Sequence, residues 1–307
     1  MASTDSVAMA RTMTLVSGVL WGTSFIITQW ALDDGFGPVT FATVRFLLAT
    51  LAALGFALVA RSVGAHLLRN PWVWALGLTN AAGYLFQNYA LDLTTGTKAA
   101  LITNLSMVMV APLSYLWFRE SFTRTKVAGL VAVIPGVLLL TTNGDLSQLH
   151  GAQFVGDMLI LGAGASWAFY IVIAKKLLDT TPATTPALTL WVMATTTVIL
   201  APVSGLALAS GGESLASIGW VGWAGALYTG IGCSTVAYLL YTRGLRGVTA
   251  TVSAILLLVQ VFVAAVLAYA LQDVGLGPVA LVGAGITLAA MVLVSVAGAK
   301  ARDARSA

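Results

Sequence analysis

Ten apolar runs, each close to the length of one bilayer crossing, leave this chain little to fold into except a bundle of membrane helices. A helix needs about 20 mostly apolar residues to cross the ~30 Å hydrocarbon core. Runs bounded by charge, Gly, Pro or Asn fall at 13–32, 38–60, 71–91, 98–118, 125–142, 156–175, 184–208, 219–242, 249–271 and 277–298. The expected fold is therefore an all-α membrane protein with ten transmembrane helices. Charged residues make up only 8% of the chain, against about 25% in a soluble domain, so a water-facing surface cannot be assembled from it. The longest connections, 142–156 and 209–219, are too short to fold alone.

The charges that do occur alternate from one connection to the next. The even connections and both terminal segments hold thirteen of the fifteen Lys and Arg, among them Arg61, Arg69, Arg124, Lys176 and Arg243. The odd connections hold Asp33, Asp34, Asp92, Asp145, Asp157, Glu213 and Asp273 with the single base Lys98. Under the positive-inside rule both termini face the cytoplasm and the protein sits in the cytoplasmic (inner) membrane as a multi-pass chain. Arg11 before an apolar stretch resembles a signal peptide. The stretch is long, however, and runs into Asp33-Asp34-Gly35 rather than a small-residue cleavage site, so it is expected to stay. No lipidation signal is seen at the C-terminus.

Five spans per half would invert the second half relative to the first, the arrangement behind rocking-bundle transport. Trp21-Gly22 aligns with Trp167-Ala168 at an offset of 146, and Gly37-Pro38 with Thr185-Pro186 at 148. Tyr84 aligns with Tyr238, Ala90-Leu91 with Gly244-Leu245, and Gly129 with Gly283, all at 154. The expected division is residues 1–143 and 144–307, two inverted five-helix repeats.

Val19-Leu20-Trp21-Gly22-Thr23-Ser24-Phe25, Arg45-Phe46-Leu47-Leu48-Ala49, Ala90-Leu91 through Lys98-Ala99-Ala100-Leu101-Ile102, Phe118-Arg119-Glu120, and Ala128-Gly129-Leu130 to Gly136-Val137-Leu138 resemble the EamA-type repeat of the drug/metabolite transporter superfamily. The resemblance covers nearly the whole chain. It implies a secondary transporter working by alternating access and points toward export of amino acids or related metabolites. Uptake or exchange of nucleosides, sugars or phosphorylated metabolites also occurs in that superfamily. Two departures matter. Met107 and, in the second half, Val261 stand where the family usually places a helix-kinking proline, which puts that kink in question, and Asp273 falls one residue short of the position matching Glu120.

Polar groups at middle depth are the candidate binding residues, because each costs free energy unless it faces a cavity or a partner. Arg45 lies seven residues past Pro38, about 10 Å down its helix at 1.5 Å per residue. Its guanidinium suits a bidentate grip on a carboxylate or phosphate. The competing reading is a structural arginine paired with Asp92, Asp33 or helix-end carbonyls. Asn80, Tyr84 and Asn88 repeat at helical spacing beside Gln87, and Ser234, Tyr238 and Tyr241 or Thr242 are their counterparts. Asn104 and Ser106 in the fourth span and Gln260 in the ninth add amides and a hydroxyl. Any one of these could be a plain interhelical hydrogen bond; together they suggest a central cavity. Trp21 and Trp167, interior to their spans, could wall it or simply pack. The Pro135-Gly136 step marks a bend in the fifth span. The expected substrate-binding set is Trp21, Arg45, Tyr84, Gln87, Asn88, Asn104, Trp167, Tyr238 and Gln260.

Several classes are excluded. Cys233 is the only cysteine, and His66 and His150 are far apart, so neither a disulfide framework nor a zinc motif is available. No Walker-type loop and no clustered nucleophile and base occur, so neither direct ATP use nor enzyme chemistry is expected. No carboxylate lies in the middle of a span, and the resemblance ties export of cationic drugs to such a group. No cofactor, metal or nucleic acid is expected, only a small-molecule substrate and the lipid bilayer as partners. Monomer and homodimer fit equally, and a non-transporting membrane scaffold or a membrane-embedded enzyme is the alternative from another class.

Overall fold

The computed structural model describes residues 4–118, 124–147, 151–244, 256–272 and 275–306. Among the described residues all regular structure is helical: α1 (Thr4–Asp33), α2 (Pro38–Val59), α3 (Pro71–Leu91), α4 (Gly96–Thr103), α5 (Ser106–Phe118), α6 (Arg124–Thr142), α7 (Ala152–Thr180), α8 (Thr185–Ala209), α9 (Trp220–Tyr228), a π-helical stretch Thr229–Val236, α10 (Ala237–Gly244), α11 (Val259–Gln272) and α12 (Pro278–Ser306). A 3-10 turn, Ala65–Arg69, precedes α3. Five stretches are long and apolar enough to cross a bilayer, namely Val7–Asp33, Pro38–Val59, Lys98–Trp117, Ala152–Ala174 and Thr185–Ala209, and three shorter apolar helices accompany them. Large apolar side chains such as Leu51, Leu116, Val131, Leu206, Phe262 and Tyr269 point outward, which is stable only against lipid. The chain is a multi-pass membrane protein.

Helix starts follow local chemistry. Pro38, Pro71, Pro186 and Pro278 occupy first-turn positions, where the missing N–H costs nothing. Asn70 and Thr184 cap α3 and α8 by accepting from Trp72 N at 3.0 Å and Ala187 N at 3.4 Å. Other caps come from distant segments. The Glu213 carboxylate, in the α8–α9 connection, accepts from Val39 N at 3.2 Å and Thr40 N at 2.9 Å at the start of α2. Asp34, in the α1–α2 connection, accepts from Gly222 N of α9 at 2.7 Å. These acids neutralise exposed helix N-termini across the expected halves, which gives the acidic connections a structural task.

The kink left in question by the missing proline is present. The helix breaks at Asn104 and Leu105, between α4 and α5, and again at Leu258, just before α11. Positions 104 and 258 differ by 154, the same offset as Tyr84 and Tyr238. The first break has a visible cause. The Asn104 side chain donates to the Ala100 carbonyl at 2.7 Å, competing with its own backbone N–H, which turns to Leu101 O at 3.2 Å instead. An asparagine thus does by side-chain competition what a proline does by lacking the donor. The Pro135-Gly136 step lies within a continuous α6, where it meets α12 rather than interrupting the helix.

Packing exchanges partners in a regular way. Helix α3 packs on α7, and α1 on α9 and α10; α1 also packs on α11, and α4 and α5 on α7; α2 packs on α8, and α6 on α12. Two buried clusters result. One gathers Phe25, Phe36, Phe41, Leu101, Ile102, Leu140 and Ile160; the other gathers Phe46, Leu76, Tyr84, Leu177, Met193 and Tyr238, with Trp21 and Trp167 against it. A cavity opens between the helices that join them.

Candidate functional site

The cavity measures about 110 Å³ and is lined from α1, α3, α4, α5, α7, α10, α11 and the turn before α11. Seven of the nine residues expected to bind substrate line it: Trp21, Tyr84, Gln87, Asn104, Trp167, Tyr238 and Gln260. Arg45 and Asn88 do not. Sequence reasoning also passed over Ser24, Phe25, Thr103, Tyr170, Ile171 and Leu257, which complete the wall. Tyr170 was findable, since it lies one turn beyond Trp167 on the same helical face.

The aromatic walls are duplicated. Trp21 meets Tyr238 edge to face, ring centroids 5.4 Å apart at 77°, and Trp167 meets Tyr84 at 5.3 Å and 82°. Each pair joins a residue before position 143 to one after it. Gly83 makes room for the second pair, because a Cβ there would lie 3.0 Å from the Trp167 ring. Tyr241 meets Trp21 at a tilt with centroids 5.2 Å apart, and Tyr170 meets Tyr238 edge to face at 6.1 Å. The indole N–H of Trp21 donates to the Cys233 carbonyl at 2.9 Å, fixing the ring.

The polar groups divide into satisfied and open ones. Gln260 Nε2 donates to Asn104 Oδ1 at 2.7 Å, tying the helix that follows one break to the residue that makes the other. Tyr238 donates to Asn80 Oδ1 at 2.9 Å, and Asn80 Nδ2 to Thr196 at 3.1 Å. Gln87 Nε2 and Thr103 Oγ1 are buried on the cavity wall without a hydrogen-bond partner. In an apolar wall such groups are costly, and a cargo atom can satisfy them.

Arg45 stands behind the wall. It is fully buried, with its Cζ 4.4 Å from the centre of the Tyr84 ring. Nε donates to Ser234 Oγ at 2.9 Å and one terminal nitrogen donates to Tyr84 Oη at 3.2 Å, while the other has no partner. Among the described residues no carboxylate pairs with it; neither Asp92 nor Asp33 reaches it. The repeat offset explains its place. Ser234 corresponds to Asn80, and where Asn80 is long enough to meet Tyr238 directly, the shorter Ser234 leaves a gap before Tyr84 that the Arg45 guanidinium fills. Asn88 lies further along α3 and donates to the Pro38 carbonyl at 2.9 Å, so the stripe 80, 84, 88 contributes only its middle member to the wall.

One charged pair was invisible in the sequence. Lys98 and Asp157, expected in connections, are both buried inside α4 and α7, with Nζ 3.8 Å from Oδ2. Thr94 donates to the other Asp157 oxygen at 2.5 Å. Both residues sit within a few positions of a span boundary, where apolar periodicity places an edge only to within about four residues.

The comparisons with known proteins agree with this architecture. The model of the EamA-like transporter family matches twice, over residues 9–142 and 154–296. An uncharacterized transporter of Archaeoglobus fulgidus is 30% identical over 262 residues, 83% of this chain and 86% of its own. Uncharacterized transporter YwfM of Bacillus subtilis is 22% identical over 95% of this chain and 96% of its own. A crystal structure superimposes with a TM-score of 0.65 at 16% identity, covering 95% of this chain and 98% of the other, a likeness of fold alone. With a family match across both halves and a like-named relative along most of its length, this chain belongs to the EamA-like transporter family of multi-pass membrane proteins.

Proposed function

We propose that this protein exports small polar metabolites, amino acids among them, across the cytoplasmic membrane by alternating access, with both termini in the cytoplasm. Ten spans form two inverted repeats, residues 1–143 and 144–307, and the cargo site lies between them. The observation that carries this reading is the cavity wall, where Trp21 on Tyr238 and Trp167 on Tyr84 repeat one contact across the two halves. The packing supports it too: exchanging halves turns the contact of α3 with α7 into that of α1 with α9 and α10. Rocking one half against the other would open the shared cavity first to one side and then to the other.

The wall chemistry narrows the cargo. Aromatic faces hold an aliphatic or planar body, while Gln87 Nε2 and Thr103 Oγ1 await polar atoms. Among the described residues no acid lines the cavity and none pairs with Arg45, whose guanidinium behind Tyr84 gives the cavity a positive potential that favours carboxylates over cations. A nucleoside is the second reading, favoured by the paired indole and phenol walls beside the Asn104–Gln260 amides. Counterflow into proteoliposomes loaded with single amino acids, nucleosides or sugar phosphates tests both. Exchange of amino acids supports the first reading, and exchange of nucleosides alone replaces it with the second. No exchange in the presence of a folded protein overturns both.

A further inference from the structure

Arg45 is fully buried, and a guanidinium cannot shed its charge inside a protein. A cation at membrane depth is expensive and by default functional. Among the described residues no carboxylate pairs with it. Its three nitrogens are in different states. Nε donates to Ser234 Oγ at 2.9 Å and Nη2 to Tyr84 Oη at 3.2 Å, both uncharged acceptors, while Nη1 has no partner. The edge formed by Nη1 and Nη2 can grip a carboxylate with two parallel hydrogen bonds, and half of it is unused.

Tyr84 stands between this guanidinium and the cavity. Its ring lies over Arg45 Cζ at 4.4 Å and forms part of the cavity wall, which Arg45 does not reach. The ring is held by edge contacts to Phe46 at 4.8 Å and Trp167 at 5.3 Å, by the bond from Nη2, and by the adjoining Tyr238 hydroxyl. A carboxylate would offer the guanidinium two ionic hydrogen bonds in place of one 3.2 Å bond to a phenol, and would neutralise a buried charge.

We propose that Arg45 and Tyr84 form a covered carboxylate subsite: the Tyr84 phenol moves aside when a carboxylate enters the cavity, and the Nη1 and Nη2 edge of Arg45 takes its two oxygens. With the cavity empty, the phenol lends the cation an acceptor and a π-face. A cargo carboxylate replaces both and brings the missing counter-charge. The amide of the same shape brings none, so the subsite selects the acid over its amide. It is also one-sided. At the repeat offset of 148 the counterpart of Arg45 is Met193, buried in the same core, and Tyr238, the counterpart of Tyr84, donates to Asn80. The cargo is therefore held with its carboxylate toward Tyr84 and its remainder toward Trp21 and Tyr238.

The inference deepens the cargo reading above and rests on it for the carboxylate. Its test needs no transport, so a failed counterflow panel and a failure here are separate results. The full chain in lipid nanodiscs is treated with 2,3-butanedione in borate, a small dicarbonyl that bridges the two terminal nitrogens of an arginine. Modification of Arg45 is followed by peptide mass spectrometry, with the exposed Arg61 and Arg69 as internal references. Propionate and propionamide are the protecting probes. The expected result is slow labelling of Arg45 in the parent, slowed further by about fivefold with propionate and less than about twofold with propionamide, while Arg61 and Arg69 are unaffected. Tyr84→Ala, which removes the cover and with it the opening step, should be labelled at Arg45 roughly tenfold faster than the parent. Three results overturn the proposal. Arg45 that stays unmodified in the parent after Arg61 and Arg69 are fully labelled would mean that the phenol never moves. Propionate that protects no better than propionamide would mean that no carboxylate is held there. A folded Tyr84→Ala variant labelled no faster than the parent would mean that Tyr84 is not the cover.

Discussion

Trp21 stands edge to face on Tyr238 with 5.4 Å between ring centroids, and the contact recurs between Trp167 and Tyr84 at 5.3 Å. Residues 146 apart and residues 154 apart thus meet crosswise, each indole on the tyrosine of the other half. If the cavity is shared equally, Trp21→Phe and Trp167→Phe weaken cargo binding by comparable factors, since each retains an apolar ring but loses indole area and edge contact worth about 1 kcal/mol. Ligand titration of the two variants checks this. A tenfold or larger effect from one and none from the other means the halves contribute unequally.

Arg45 offers a separation of charge from fold. Its repeat counterpart at an offset of 148 is Met193, a buried apolar residue in the same core. Arg45→Met removes a buried cation with no carboxylate partner, so it is expected to leave the melting temperature unchanged or raised while reducing exchange of carboxylate cargo at least tenfold. Loss of monodispersity in detergent would show instead that the guanidinium bridge between Ser234 and Tyr84 holds the bundle together.

The two glutamines should behave differently. Gln87→Leu deletes an amide whose Nε2 is unpartnered and should alter cargo preference at no cost in stability. Gln260→Leu leaves Asn104 Oδ1 without its 2.7 Å donor, a loss of about 1–3 kcal/mol for a buried acceptor. Thermal unfolding of both variants, alongside a cargo panel, separates the two effects. Equal destabilisation would contradict the partner assignment.

Close packing of α6 against α12 depends on Gly283, where an added Cβ would lie 2.5 Å from Leu140 N and 2.6 Å from the Gly136 carbonyl. Backbone atoms cannot swing aside as a side chain can. Gly283→Val is expected to push the helices apart and destabilise the protein by about 1–3 kcal/mol, whereas Gly285→Val, with open space around it, is expected to be tolerated. Thermal unfolding of the pair reads this directly.

Asp92 predicts a pH dependence. Burial, then the charges of Asp33 and Glu213, push its carboxyl above its usual 3.8. The folded state therefore binds this proton more tightly than the unfolded chain does. Its contribution is unfavourable above the raised pKa and is relieved as the pH falls through that pKa toward 3.8. Asp92→Asn should raise the melting temperature at neutral pH and lose this advantage in acid. A variant no more stable than the parent at pH 7 would contradict the assignment.

Much of this was legible in the sequence because bilayer physics ties length and apolarity so closely to helices. The matched tryptophans and tyrosines, read only from spacing, converge on one cavity. What escaped detection depends on contacts that no local pattern records. Asn104 breaks its helix three residues before Met107, the position where the family usually places proline, because a side-chain amide can compete for the Ala100 carbonyl. Lys98 and Asp157 looked like connection residues until α4 and α7 brought them together. Arg45 lies at the expected depth, yet the short Ser234 side chain draws it behind Tyr84 rather than into the cavity. The π-helical turn at Thr229–Val236, which presents Ser234 to that guanidinium, has no sequence signature in a single chain.

The central claim is that cargo sits between the two halves, against both tryptophans. The most direct measurement is the shift in melting temperature that a transported metabolite produces in the parent, in Trp21→Ala and in Trp167→Ala, since a ligand of the folded state stabilises it by mass action. The account predicts a concentration-dependent rise in the parent and its loss in both variants, each still folded. A rise that persists undiminished in both would place the cargo elsewhere and contradict the account.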